Sequence, residues 1–554
     1  MSDIIAAILE REPNYDALPA ATPVQVRRLI QQCLVKDADK RLPDIANARP
    51  AIASAQTDPR KPMFTRRRLA IAGAAVAAAA VPVTFNVGGL REWLLGTPGP
   101  RIRSLVVLPL EDLSGAAEQE FLADGFTDAL ITDLSKIEGL KVISRTSAMQ
   151  YKGKRKPLPE IARELQVEGV IEGTLQRDGE RVQIAVKLIQ AATDSPVWAA
   201  RFDGDFRGAL RLQAQVAQAV AHEIRGTIDP AQEARLAARR AVNPQVYEAY
   251  LRGMYFLNKS AAADQEKGME FLKEAVEKDP AEPLAYSGLA IGYTVLGHER
   301  EPDAFKLAKA AANRALELGD TMAETHAALA QTSMYWNWDL AGSRQDFERA
   351  LELNPNFAYA RCHYAWYLTI WGHLDDALVE MERAKELDPL TPLYTAYLGY
   401  VYGYAGRHHD EVDEARKSLQ LSSNFVWGLL VLGQGYAALR RYDEAIAAHK
   451  TLADVDSHQK VVLGRTYAVA GQRNEALTIA REVEKNPTTR EVYRLGELYA
   501  ALGERDQAMH WLQRAYSQRE SLMPWIGRER VLAPLHSDPR FQSLARRIGT
   551  KLFS

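Results

Sequence analysis

Residues 393–420 read LYTAYLGYVYGYAGRHHDEVDEARKSLQ, residues 427–449 WGLLVLGQGYAALRRYDEAIAAH, residues 461–480 VVLGRTYAVAGQRNEALTIA and residues 492–516 VYRLGELYAALGERDQAMHWLQRAY. Aligned on Gly399, Gly433, Gly464 and Gly496, these are one pattern written four times, in steps of 34, 31 and 32 residues. A tyrosine follows each glycine by three positions, at Tyr402, Tyr436, Tyr467 and Tyr499. A second glycine stands seven positions on in three copies, at Gly406, Gly471 and Gly503, and an alanine twelve positions on at Ala445, Ala476 and Ala508. Small residues at fixed spacing let two antiparallel helices approach closely, while the tyrosine fills the gap to the next copy. One such helical pair cannot bury its apolar face alone, so self-similarity at this period predicts a stacked array.

This pattern resembles the tetratricopeptide repeat. Earlier copies are recognisable in LAYSGLAIGYTVLG, FERALELNP and CHYAWYLTIWGHLDDALVEMERAKELDP, with Pro280, Pro355 and Pro389 closing their units because proline cannot continue a helix. About eight copies are expected across residues 243–517, with the register loosest near Asp320 and Ser422, where that proline is missing. Residues 518–554, containing Asp538-Pro539-Arg540-Phe541, read as the cap that such arrays carry. The resemblance implies a concave surface that binds protein or peptide partners. The repeat register places Tyr359, Trp366, Tyr400, Trp427, Gln434, Arg465, Arg490 and Tyr493 toward it. Aromatic residues and arginine dominate binding interfaces when partly exposed, although ordinary packing between repeats explains each of them as well.

Ahead of the array, strand and helix signals alternate. SLVVLPL suits a central strand buried on both faces, and Leu122, Phe126, Leu130 and Leu134 mark a helix. LKVIS, the helix PLPEIAREL, the strand VEGVIEGTLQ, the strand RVQIAVKLIQ, the strand PVWAARF and the helix GALRLQAQVAQAVAHEI complete the order. Asp178-Gly179 between two alternating runs is a hairpin signal, since glycine accepts the positive φ of a tight turn. The words VVLPLEDLSG, FLADGFTDALITDLSKIEGLKVISRTS, YKGK and IEGTLQRDGERVQIAVKLIQAATDSPVWAARFD resemble the TolB amino-terminal-like, or FlgO-like, α/β domain, placed here at residues 101–228. That resemblance implies a sensory or assembly module without catalysis. Asp124, Asp128 and Asp133 are spaced for the solvated side of a helix. Arg145, Thr146 and Ser147 fit either an anion site at a strand end or a plain polar loop.

Residues 69–90, LAIAGAAVAAAAVPVTFNVGGL, are 22 residues without a charge, enough for one transmembrane helix. Arg60, Lys61, Arg66, Arg67 and Arg68, in the basic linker 53–68, orient it with the amino terminus cytosolic and the later domains extracytoplasmic, in an inner (cytoplasmic) membrane. A twin-arginine export signal starting at Met63 and a buried helix of a cytosolic scaffold are competing readings. In residues 1–52, Cys33, Leu34, Lys36, Asp37 and Arg41 resemble the end of the carboxy-terminal lobe of bacterial serine/threonine protein kinases. In that family the arginine matching Arg41 pairs with the glutamate of an Ala-Pro-Glu motif, which this chain lacks.

The remainder of the 554-residue chain offers no catalytic motif. A kinase needs a Gly-rich loop, a catalytic-loop aspartate and a magnesium-binding Asp-Phe-Gly, and the nearest string, Gly433-Gln434-Gly435, sits inside a repeat. No G-x-S-x-G frames a nucleophile, and neither His222-Glu223 nor His408-His409 has metal-ligand spacing, the latter reading as a solvated pair. No cofactor or metal is expected. The 69 basic and 71 acidic residues leave a net charge of −2, with no drive toward nucleic acid. Two cysteines, Cys33 and Cys362, exclude a disulfide framework. The expectation is therefore a multidomain membrane-anchored protein: a kinase-lobe remnant, one membrane helix, an α/β sensor-like domain and an all-α superhelix binding protein or peptide partners. Self-association is left open. The alternative is a receptor serine/threonine kinase whose catalytic core precedes Met1.

Overall fold

The computed structural model describes residues 102–114, 120–225, 242–259, 262–299, 302–319 and 322–553. The kinase-like segment with Arg41, the basic linker and the apolar run 69–90 lie outside the described residues, among which no helix is long and apolar enough to cross a membrane.

The first part is a mixed sheet with helices. Strand β1 (Ser104–Val107) has Leu105, Val106 and Val107 fully buried, as its unbroken apolar run requires. It pairs in parallel with β3 (Lys141–Val142) and with β4 (Gly169–Asp178), and β2 (Glu111–Asp112) pairs with the far end of β4. From β4 the sheet continues antiparallel through β5 (Arg181–Gln190) to β6 (Ser195–Asp205), giving the order β3-β1-β4-β5-β6. Gly179, at φ 58°, makes the β4–β5 turn. Helices α1 (Glu120–Ser135), α2 (Arg145–Met149), α3 (Leu158–Leu165) and α4 (Ala209–Arg225) complete the module. Strand β2 and helix α2 are too short to leave a periodic signal in the sequence.

Helix α1 corrects one expectation. Asp124 and Asp133 are buried rather than solvated. Asp124 faces Lys152 at 2.6 Å and Arg145 at 4.0 Å, so partners on and just after α2 draw it inward. Burial nevertheless raises its pKa, with the Lys152 contact opposing the shift.

The second part is eight antiparallel helical pairs among the described residues. They are α5 (Pro244–Leu257) with α6 (Ala262–Lys278), α7 (Pro283–Glu299) with α8 (Ala304–Glu317), α9 (Ala323–Thr332) with α10 (Leu340–Leu353), and α11 (Ala358–Trp371) with α12 (Leu374–Leu387). Then follow α13 (Pro392–Tyr404) with α14 (His408–Leu421), α15 (Val426–Ala438) with α16 (Tyr442–Val455), α17 (Lys460–Val469) with α18 (Arg473–Val483), and α19 (Thr489–Ala501) with α20 (Arg505–Ser517). A π turn, Ser333–Asn337, prolongs α9. After α20 come two 3₁₀ turns, Met523–Gly527 and Arg530–Leu535, and α21 (Pro539–Ile548).

Three contacts among the described residues weld the module to the array. Tyr247 and Leu251 of α5 belong to the module's own core. Far along the chain, the amide of Asn356 donates to the carbonyls of Ser135 (2.8 Å) and Leu140 (2.7 Å). The α12–α13 junction also inserts Asp388 against α2, where it accepts from the Ser147 hydroxyl, while the Leu390 N–H donates back to Ser147. The stretch Arg145-Thr146-Ser147 is thus helical, and its Ser147 holds a carboxylate of the same chain.

Four of the turns within helical pairs place glycine at positive φ, Gly372 at 84°, Gly406 at 77°, Gly471 at 81° and Gly503 at 78°. In the α15–α16 turn Arg440 takes this position at φ 60°, a conformation costly to any residue with a Cβ. Replacing it, Arg440→Gly, is expected to stabilise the protein by about 1 kcal/mol, read as a higher urea midpoint at unchanged slope.

Candidate functional site: a cleft between repeats and tail

The inner face of the array is filled in large part by the chain's own carboxy-terminal segment. Trp525 packs its ring 5.2 Å from Trp366 and 5.4 Å from Tyr404. Glu529 accepts from the Tyr404 hydroxyl at 2.8 Å. The Arg530 guanidinium reaches the Gly403 carbonyl and donates to Nε2 of His408 at 3.0 Å, whose Nδ1–H is thereby free to donate to Glu411 at 2.9 Å. Arg519 donates to the Trp336 carbonyl at 2.7 Å.

Beside this insertion remains a cleft of about 390 Å³. Helix α13 contributes Tyr400 and Tyr404, α14 His408 and Glu411, α15 Gln434, and α17 Arg465 and Thr466, with Glu529 and Arg530 of the tail closing one side. His449 of α16 forms its floor, stacked so closely over Gly433 that a Cβ there would collide with the imidazole. The repeated glycine thus makes room for a polar side chain in this pair, where Gly496 makes room for Leu512.

The charges in and behind the cleft neutralise one another. Glu497, fully buried, accepts from Arg465 at 3.0 Å and from Arg494 at 2.9 Å. Burial opposes the charge on Arg494, but Glu497 outweighs it and the guanidinium is held more strongly protonated than usual. Burial and the neighbouring Glu497 raise the Glu529 carboxyl, and burial also raises Glu411 against the pull of His408. Burial lowers His449 to about 4, assisted by Arg465, so it is a neutral imidazole that donates from Nε2 to the Leu430 carbonyl at 3.0 Å. Among the described residues no group of three or more metal-ligating side chains could hold a metal ion.

Of the eight residues expected on the concave face, Tyr400, Gln434 and Arg465 converge on this cleft. Trp427 lies half-buried against Tyr397, ring to ring at 5.0 Å. Tyr359 donates to Gln331 at 3.1 Å in a separate cluster with His363. Arg490 is exposed, yet its guanidinium bonds the His298 carbonyl across the array. Two placements need correction. Trp366 is enclosed by Trp525 and Tyr397, and Tyr493 is fully buried, its α19 packed under the Arg530–Leu535 turn, so neither offers a surface to a partner. The solvated reading of His408-His409 holds for His409 alone. Sequence reasoning missed Tyr404, Glu411, His449, Glu529 and Arg530. Repeat register could have flagged His449, which stands sixteen positions after Gly433 on the facing helix, but nothing local signals the tail residues.

A tetratricopeptide-repeat model matches residues 492–521. The helical array is built of tetratricopeptide repeats. Residues 102–219 match the second domain of HilA/YgeH-like transcriptional regulators. A protein named "Putative adenylate cyclase 3" from Rhizobium meliloti (strain 1021) is 33% identical over 192 residues, 35% of this chain and 33% of that protein. The chain therefore spans about a third of that relative's length. Among solved structures, PilF of Pseudomonas aeruginosa is 21% identical with a TM-score of 0.31, covering 38% of this chain and 93% of its own. YrrB, a repeat protein described as having an unusual peptide-binding site, is 22% identical with a TM-score of 0.25, covering 34% of this chain and 89% of its own.

Where the tail leaves α20, Glu520 is buried and its pKa is raised by that burial from 4.5 to about 7, though Leu522 N–H donates to it at 2.8 Å. The unfolded chain ionises this group first, so the folded state loses stability as pH rises above 4.5, by about 3 kcal/mol once pH exceeds 7. Glu520→Gln keeps an acceptor for Leu522. Its stability gain over the unsubstituted protein is expected to be near zero at pH 4.5 and to grow to about 3 kcal/mol at pH 8, measured by urea denaturation across that range.

Proposed function

We propose that this tetratricopeptide-repeat protein is a non-catalytic binding scaffold that receives a peptide or protein segment in the cleft between its fifth to seventh helical pairs and its tail. The observation that carries this reading is the convergence of Tyr400, Gln434 and Arg465, one from each of three consecutive pairs, on one cleft. The Gln434 side chain makes no hydrogen bond to another described residue, leaving an amide donor and acceptor suited to a peptide backbone. The mutual neutralisation of charges favours a segment bound by hydrogen bonds and apolar contact over a strongly charged one.

The basic residues ahead of the apolar run 69–90 support a single membrane anchor with the module and repeats outside the cytoplasm. On this proposal the α/β domain, TolB-like by its sequence words, stands between membrane and repeats. Carbonate-resistant sedimentation of the full chain, with protease access to the repeats in intact spheroplasts, is the result expected.

Arg465→Ala is a poor probe of the cleft, because it strips a partner from the buried Glu497 and costs stability on its own. A photo-reactive benzoyl-phenylalanine at position 434 is better, with the same group at the exposed Val379 as control. Defined crosslinked species at 434, absent at 379 and abolished by Ala437→Trp, which fills the cleft, are expected. Equal crosslinking at both positions would remove the cleft from consideration.

A further inference from the structure

Strand β6 ends the sheet, with β5 on one side and no described strand on the other. A free strand edge is a template for another strand, and proteins commonly blunt it with proline, bulges or short length. Here both devices sit at the beginning of β6. Pro196 lies there, and a register shift opposite Leu188/Ile189 leaves Val197 bulged out. From Trp198 to Asp205 the pairing with β5 is regular.

The direction of the free hydrogen-bonding groups follows from the ladder. Phe206 N–H donates to the Glu180 carbonyl at 2.7 Å, so these two form a hydrogen-bonded pair. In an antiparallel ladder such pairs alternate with non-bonded ones. Gly204, Phe202 and Ala200 therefore turn their amides toward β5, and Asp203, Arg201 and Ala199 turn theirs outward. The side chains of Ala199, Arg201 and Asp203 are exposed on one face, while Phe202 and Trp198 lie half-buried on the other, rings 6.3 Å apart.

We propose that β6 pairs antiparallel with β6 of a second copy of this chain, about a two-fold axis at Phe202. Charge complementarity selects both the occupant and the register. With the axis at 202, Arg201 of each copy faces Asp203 of the other, twice over, and the two Phe202 rings meet in a non-hydrogen-bonded pair where side chains come closest. An axis at 201 sets arginine against arginine, one at 203 sets aspartate against aspartate, and one at 200 drives the bulge at Val197 into the ladder. Arg201 has no ion-pair partner within its own chain among the described residues, and Asp203 accepts only from the neutral Gln183, at 2.7 Å. Such a two-fold contact is isologous and closes after one addition, because the β6 edge of each copy is taken up by the other. It is independent of the cleft reading.

The test uses the purified full chain in a mild non-ionic detergent, followed by sedimentation velocity over a concentration series. The unsubstituted protein is expected to dimerise. Arg201→Asp and Asp203→Arg singly should each weaken the dimer at least about tenfold, since each turns two attractive contacts into repulsive ones, and the double exchange should restore it. Both side chains are exposed, and unchanged circular dichroism would show that the fold is kept. A chain that stays monomeric at about 100 μM, a dimer indifferent to the single changes, or a double exchange that fails to restore it would each overturn the proposal, as would a monomeric chain pairing this edge with a strand of another protein.

Discussion

The array depends on how closely its paired helices can approach, and on what then occupies the space they enclose. At Gly496 and Gly433 the facing helix comes near enough that a single methyl group would collide with Leu512 and with the ring of His449, and at Gly399 and Gly464 the facing helix lies 3.0 Å from where that methyl would stand. Alanine at the start of the second helix continues this tight contact, as at Ala476 and Ala508, both fully buried. Pairs packed this way curve, and the inner face of the curve is lined with tyrosine and tryptophan. Those rings need burial, and Trp525 supplies it by entering among Trp366, Tyr400 and Tyr404. The cleft is the part of that inner face the tail does not cover.

Burial in this region sets the electrostatics as much as pairing does. Glu497 is shared by two arginines from successive pairs, and Glu529 brings another carboxylate from the tail. None of these charges could be removed singly without leaving a partner in a poorly solvated interior. The arrangement ties the seventh pair, the eighth pair and the tail into one neutral block. Specificity in the cleft then falls to groups without such obligations, of which Gln434 is the clearest.

What the sequence made legible was local. The repeat period identifies helical pairs because glycine, tyrosine and alanine recur on a physical template, and alternation within 181–190 reveals a strand because the sheet buries one face there. The cleft was legible where it is built from repeat register, at Tyr400, Gln434 and Arg465. It was illegible where distant segments meet. Nothing near Glu529 announces Tyr404, which lies 125 residues earlier, and nothing near Asp124 announces that Lys152 will bury it. Tyr493 and Trp366 went astray for the same reason: register identifies a side of a helix, but not what another part of the chain lays over it.

The contact between Asn356 and the carbonyls of Ser135 and Leu140 joins residues more than two hundred positions apart, 221 and 216 respectively. An open solenoid holds only neighbour-to-neighbour contacts, so it can unzip from either end one repeat at a time. Here the α/β module grips the first pair and the fourth, and the tail grips the fourth and fifth from inside. Fraying from either terminus is blocked until those long-range contacts are given up together. The molecule has the parts list of a linear polymer of repeats and the cooperativity of a globular domain, acquired at the expense of the slow loop closures that distant contacts impose on folding.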